Sequence, residues 1–175
     1  MTTATARGLA SKRRGDAWET VIDNYHQQLS AERRAHIVRV PTEARVMGAT
    51  RTDARGRTAF LATWASRASV DFVGCLLGGR AVAIEAKTCT QDRWTFAQAL
   101  GAPTSTRPAD VEWRTLQTVN EMGGLSLVLL DWGAEQWCVE FGALSTYRET
   151  GAGSLNVEQL ASIARLIVGP AWWRP

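Results

Sequence analysis

Residues Val70 to Thr88, VDFVGCLLGGRAVAIEAKT, constrain the fold more than any other stretch of this 175-residue chain. Two apolar runs flank Gly78 and Gly79, the pattern of a hairpin of buried strands. Three charged side chains, Asp71, Glu85 and Lys87, interrupt them. Side chains alternate along a strand, so Glu85 and Lys87 share one face while Val82, Ile84 and Ala86 share the other. The face of Asp71 depends on the turn. A two-residue Gly78-Gly79 loop sets Asp71 opposite Ala86, on the wrong face, whereas a three-residue loop from Leu77 to Gly79, with Gly79 left-handed, sets it opposite Glu85. Two carboxylates that close repel unless a cation lies between them. Mg²⁺ suits such a site, because it takes one or two carboxylates plus waters and substrate phosphate. Lys87 beside it could orient or deprotonate an attacking water, or offset charge in a phosphoryl-transfer transition state. An E-x-K pair on a solvated strand face is a surface ion pair worth little. The apolar strands, and the absence of other charges from that face, favour the metal reading.

Composition narrows the remaining choices. With 45% hydrophobic and 21% charged residues the chain reads as one globular domain with a real core. No apolar run approaches the roughly 18 to 20 residues that cross a bilayer, and MTTATARGLASKRR lacks the hydrophobic stretch of a secretory signal. A cytoplasmic location is expected, nucleoid-associated or, for a phage-encoded protein, in the host cytoplasm, with no membrane partner. Three scattered cysteines (Cys75, Cys89, Cys138) and two histidines suggest neither a disulfide framework nor a zinc cage. Net charge is +3, but residues 1–80 hold 13 Lys/Arg against 7 Asp/Glu and the remainder 7 against 10. The basic half is mostly arginine, whose planar fork of donors suits phosphate, so a polyanionic partner is favoured.

Along the chain, residues 1–12 read as a flexible arm ending at Lys12, Arg13 and Arg14, and residues 13–175 as one domain. Trp18, Val21, Ile22, Tyr25 and Leu29 form one helical stripe from about Arg13 to Ser30, with Glu19 about 60° from Ile22 at its margin. AHIVRVPT alternates as a strand ended by Pro41. From about 43 to 67 there is no core periodicity, but Arg45, Arg51, Arg55, Arg57 and Arg67 accumulate; so long a connection predicts a functional protrusion, an extended hairpin. After the central hairpin, Asp110 can cap a helix to Met122, stopped by Gly123 and Gly124. LSLVLL reads as a central strand and EQWCVEF as its partner across a turn at Gly133. Ser154 or Asn156 then caps a last helix with Val157, Leu160, Ala164 and Ile167 inward. The expected fold is α/β, a mixed sheet flanked by helices in the order αβββαββα, with a stalk between the first and second strands.

In this order the motifs resemble the PD-(D/E)XK nuclease superfamily, and within it the RecU-like Holliday junction resolvases, over about residues 12 to 147. RRGDAWETVIDNY resembles the family's first helix, with Glu19 as its supporting acid. VPT before the basic segment resembles the strand and stalk inserted into the junction. VDFVG and IEAKT resemble the catalytic strands, and WRTLQTVNEMGG followed by LSLVLL the helix with a glutamine and its strand. The resemblance implies a restriction-endonuclease-like core. It implies a metal held by Asp71, Glu85 and the Ala86 carbonyl, with Glu19 joining directly or through water, Lys87 as catalytic lysine, and Gln117 as an active-site or DNA-contacting residue. The histidine that often precedes that glutamine is replaced by Leu116. Also implied are Mg²⁺, with Mn²⁺ substituting, a four-way DNA junction as substrate, a homodimer making paired symmetrical cuts, and backbone contacts from Lys12, Arg13, Arg14 and the stalk arginines. Ser69, on the Asp71 face, could hydrogen-bond the cluster, and Trp172 and Trp173 are candidates for the dimer contact. The rival readings are another PD-(D/E)XK endonuclease of restriction or repair type, and a junction-binding protein without turnover.

Overall fold

A computed structural model describes residues 3–41, 44–46, 51–52, 58–59, 62–64, 69–100 and 111–169. In chain order these form α1 (Thr3–Ala31), β1 (Ala35–Arg39), β2 (Ala44–Val46), β3 (Arg51–Thr52), β4 (Thr58–Ala59), β5 (Ala62–Trp64), β6 (Phe72–Leu76) and β7 (Ala81–Cys89). Then come β8 (Trp94–Thr95), α2 (Phe96–Ala99), α3 (Val111–Glu121), β9 (Leu125–Trp132), β10 (Glu135–Glu140), α4 (Phe141–Glu149), β11 (Ser154–Leu155), α5 (Val157–Ala161) and β12 (Ala164–Leu166).

Six strands build one mixed sheet in the order β1-β6-β7-β9-β10-β12, parallel between β7 and β9 and antiparallel elsewhere. Strand alternation divides the core in two. On one face Trp18, Ile22 and Leu29 of α1 pack against Phe72, Val82, Ile84, Leu127 and Leu129. On the other, Trp113 and Leu116 of α3, Phe141 and Leu144 of α4 and Leu160 of α5 pack against Ala83, Val128, Leu130 and Val139. Each such large side chain contributes about 1.5–3 kcal/mol on burial. The Trp18 indole N–H also donates to the Leu129 carbonyl at 3.1 Å, pinning α1 across the sheet beside β7.

Two expectations are corrected. The segment read as a flexible arm is helical from Thr3 onward, and its residues from Gly8 to Arg14 are exposed. Once the packed half has nucleated, each further residue costs little to add, and no proline interrupts the alanine-containing run. The expected last helix is only Val157–Ala161, opened by a capping box from Asn156 and Gln159. Ala164 lies instead in β12, which pairs with β10, and the Ile167 N–H donates to the Gln136 carbonyl at 2.7 Å. The free edge of β10 needed main-chain partners, and that need outweighs a weak helical period. Helix α4 was not anticipated. Asp110, Trp172 and Trp173 lie outside the described residues.

Between β1 and β6, β2 pairs antiparallel with β5, and β3 with β4. Backbone is described at Arg45 and Arg51, whereas Arg55, Arg57 and Arg67 lie outside the described residues.

Candidate active site

The turn between β6 and β7 decides the geometry. The Leu76 N–H donates to the Arg80 carbonyl at 2.9 Å, so the loop is the three residues Leu77, Gly78 and Gly79. Both glycines have positive φ, 95° and 85°, a conformation that costs glycine little. Phe72 consequently pairs with Ile84, and the same register carried one step further sets Asp71 toward Glu85, on whose carboxyl its charge acts. This is the register that the three-residue turn requires.

Strand β6 peels away at that point. The Asp71 carbonyl still accepts from the Val40 N–H of the chain leaving β1, at 2.8 Å. Its carboxylate Oδ2 accepts from the Ala86 N–H, also at 2.8 Å, where the next backbone carbonyl of an unbroken strand would have stood. Asp71 therefore lies at the edge of β7. The Ala86 carbonyl points to that same edge, because the N–H and C=O of one strand residue share a side.

Glu85 is 2% exposed. Lys87 Nζ donates to one of its oxygens, while Oε2 is buried without a hydrogen-bond partner among the described residues. Burial pushes its carboxyl up to about 8; the Lys87 charge opposes this, and the carboxylates of Asp71 and Glu112 add to it. Lys87 also donates to Glu112 Oε2 at 3.1 Å. Burial pulls its ammonium down, but the surrounding carboxylates outweigh that and hold it above its usual range. A half-buried cation between two acids, one of them with an idle oxygen, is a charge arrangement suited to chemistry rather than to stability.

Glu112 was missed by the reading of the sequence. It lies in the first turn of α3, where the helix dipole favours an acid. The signal was an acid at a helix start shortly before a buried Trp113. Gln117, expected at the site, is exposed and donates to Glu121 Oε1 at 2.8 Å. Five residues correspond to about 500° of helix, so the turn of α3 that reaches Lys87 through Glu112 leaves Gln117 well off that direction. Gln117 therefore stands apart from Lys87 and its two carboxylate partners, on an exposed face of α3.

Glu19 is half-buried on α1, whose core contacts lie on the Ile84 face, opposite Glu85 and Lys87. Its carboxylate is paired with Arg39 at the end of β1, and Asp23 lies 3.9 Å from the same guanidinium. Glu19 is thus not assembled with Asp71 and Glu85 here. Arg39 is a second residue not anticipated; its place beside Phe72 in the β1–β6 register brings it to the start of β6, next to Asp71. Ser69 is half-buried just ahead of β6. Lys12, Arg13 and Arg14 are exposed on α1, and Arg14 acts electrostatically on Asp131, whose carboxyl burial holds above its usual range.

No group of three or more His, Cys, Asp or Glu side chains forms a metal cage among the described residues. The donor set instead fits an ion that needs few protein ligands. Asp71 and Glu85 offer hard carboxylate oxygens, one of them the idle buried Oε2, and Mg²⁺ commonly takes one or two carboxylates and keeps its waters.

Beside this group, a cleft of about 380 Å³ runs along the end of β7, lined by Ser11, Gly15 and Trp18 of α1, by Ala86 to Gln91 and by Trp94 and Ala99. No helix is long and apolar enough to cross a membrane among the described residues.

A family model described as Recombination protein U matches residues 13–167. Among solved structures, the Holliday junction resolvase Hjc of the archaeal hyperthermophile Archaeoglobus fulgidus is similar over 83% of this chain and 93% of that one, with 15% identity and a TM-score of 0.45. No curated protein matches the chain.

Proposed function

The chain belongs to the recombination protein U family, and from that premise we propose that it is a Holliday junction resolvase, a divalent-metal-dependent DNA endonuclease. The observation that carries the reading is the register that sets Asp71 against Glu85, with Lys87 bound to one Glu85 oxygen and the other buried and idle. Asp71, Glu85 and the Ala86 carbonyl would hold the ion, with Mg²⁺ the natural occupant and Mn²⁺ a substitute. Such an ion, when bound, stabilises negative charge on a phosphodiester and lowers the pKa of water.

The chain's own groups do the remaining work. Lys87 is held at the site by Glu85 and Glu112 and presents a cation where charge develops on the phosphoryl oxygens. Asp71 is oriented by the Ala86 N–H, which leaves its second oxygen for the ion. Glu19 joins directly or through water once it leaves Arg39. Hydrolysis leaves a 5′-phosphate.

A four-way junction is nearly two-fold symmetric and needs two matched cuts, so a C₂ homodimer with two such sites is the matching assembly. The paired ladders between β1 and β6 form the stalk, whose arginines grip backbone at the branch point rather than reading bases. The protein works in the cytoplasm.

The test is incubation with labelled four-way, Y-shaped and linear duplex DNA in Mg²⁺ or EDTA. Paired symmetrical nicks in four-way DNA, and only with Mg²⁺, are expected. Equal cutting of linear duplex would sink the junction-selective reading.

A further inference from the structure

Strand β6 pairs with β7 only as far as Phe72 opposite Ile84, but β7 continues to Cys89. Main-chain groups of a strand alternate sides. Those of Ala86 and Thr88 therefore face the edge that β6 has left, while those of Lys87 and Cys89 face β9. The first donor on this open edge already holds an anionic oxygen, because the Ala86 N–H binds the Asp71 carboxylate. The next, at Thr88, lies about 6.6 Å further along. That interval is close to the spacing of successive phosphates along one nucleic-acid strand.

The edge opens into the cleft of about 380 Å³, which reaches Ala86 and Lys87 next to Glu85 in β7, and an adjoining cleft of about 320 Å³ is lined by Ala10, Ser11, Arg14, Thr88 and Thr90. Ser11, Arg14, Gly15 and Trp18 recur at helical spacing on one side of α1. Trp18 is locked to Leu129 and forms a rigid floor. Gly15 keeps the wall low: a Cβ there would meet nothing within 4 Å. Glycine inside a helix costs about 1 kcal/mol relative to alanine. Among the described residues the nearby charges include Lys12, Arg13 and Arg14 on α1 and Lys87, opposed by Asp131, which stands opposite Thr88 in the β7–β9 register, and by Asp92, whose charge acts on Cys89.

We infer that this trough along the open edge of β7 is a track for the sugar–phosphate backbone of one DNA strand, leading it to Asp71 and Glu85. The Thr88 N–H and the hydroxyls of Ser11 and Thr90 bind phosphate oxygens, and Arg14 supplies charge. The trough takes one strand and leaves the base edges unread, as shape-selective recognition requires. The inference rests on the nuclease reading for its substrate.

Full-length Gly15→Leu fills the trough from a position with open space, and its helix propensity keeps the fold at least as stable in thermal denaturation. It should bind a labelled four-way junction at least tenfold more weakly in EDTA, and cut it at least tenfold more slowly in Mg²⁺, with Gly15→Ala, which adds a single methyl, losing less than Gly15→Leu on both measures. Ser11→Glu, an exposed substitution on the same wall, tests the track by charge and should weaken binding at least tenfold more than Ser11→Gln. Wild-type binding in both Gly15→Leu and Ser11→Glu overturns the track while leaving the nuclease reading intact. A wild-type protein that binds junctions but cuts none overturns the nuclease reading, and the same binding comparison then decides the track. A protein that neither binds nor cuts overturns both.

Discussion

Replacing Glu85 with glutamine should make the metal-free protein more stable, and by an amount set by pH. Glu85 is 2% exposed, and burial moves its carboxyl from an ordinary 4.5 to about 8 despite the attraction of Lys87. A group whose pKa is raised on folding contributes fully below the unfolded value and loses that contribution as pH rises through the folded value. Below about 4.5 both states hold the proton and the site costs nothing. Between 4.5 and 8 only the folded state holds it, so stability falls as pH rises. Above 8 the fold carries a buried carboxylate. At 1.36 kcal/mol per pH unit across that window, the deficit is on the order of a few kcal/mol by neutral pH. Glutamine keeps the shape and an acceptor for Lys87 but carries no charge. Urea denaturation in EDTA at pH 5, 7 and 9 should therefore show Glu85→Gln gaining on wild type with each step. Divalent cation should restore much of the deficit to wild type and do little for the variant. A variant less stable than wild type at pH 9, or a difference that does not change with pH, refutes the assignment of Glu85 as a strained buried acid.

Other outcomes follow from single contacts. Asp71→Asn should retain junction binding while losing at least a hundredfold in metal-dependent cutting, read by gel shift and by nicking; loss of binding in parallel would count against its role as a ligand. Gly74→Ala should cost about 1–3 kcal/mol or more in chemical denaturation, because a Cβ would stand 2.0 Å from the His36 carbonyl oxygen and the β1–β6 backbones would have to part. His26 is buried edge-on to Phe72, and burial pushes its imidazole down to about 4. Its contribution is present above pH 6.5 and lost as pH falls through 4, on the order of 3 kcal/mol. His26→Leu should flatten that acid limb of the stability profile.

Much of the centre of this protein was legible in the chain itself. The alternation in VDFVGCLLGGRAVAIEAKT announces two strands, and the shared face of Glu85 and Lys87 follows from a period of two. Trp18, Ile22 and Leu29 announce the packed face of α1 because burial repeats every three to four residues. The double glycine after α3 and the apolar β9 are similarly local statements. What failed was decided elsewhere in the chain. A composition rich in small residues did not reveal that the first turns of α1 would extend a helix nucleated by Trp18 and Ile22. The period over Val157 to Ile167 could not register the open edge of β10, which draws residues 164–166 into a strand.

The site divides along the same line. Sequence alone determined which side chains can do the chemistry and left two turn geometries open for Asp71. Tertiary structure chose between them, because hydrogen bonds across the hairpin set the loop at three residues and bring Asp71 to Glu85. It also chose the helix contact, bringing Glu112 rather than Gln117 to Lys87, and it holds Glu19 on Arg39. These choices depend on how α1 and α3 sit on opposite faces of one sheet, a relation among distant segments that no local period encodes.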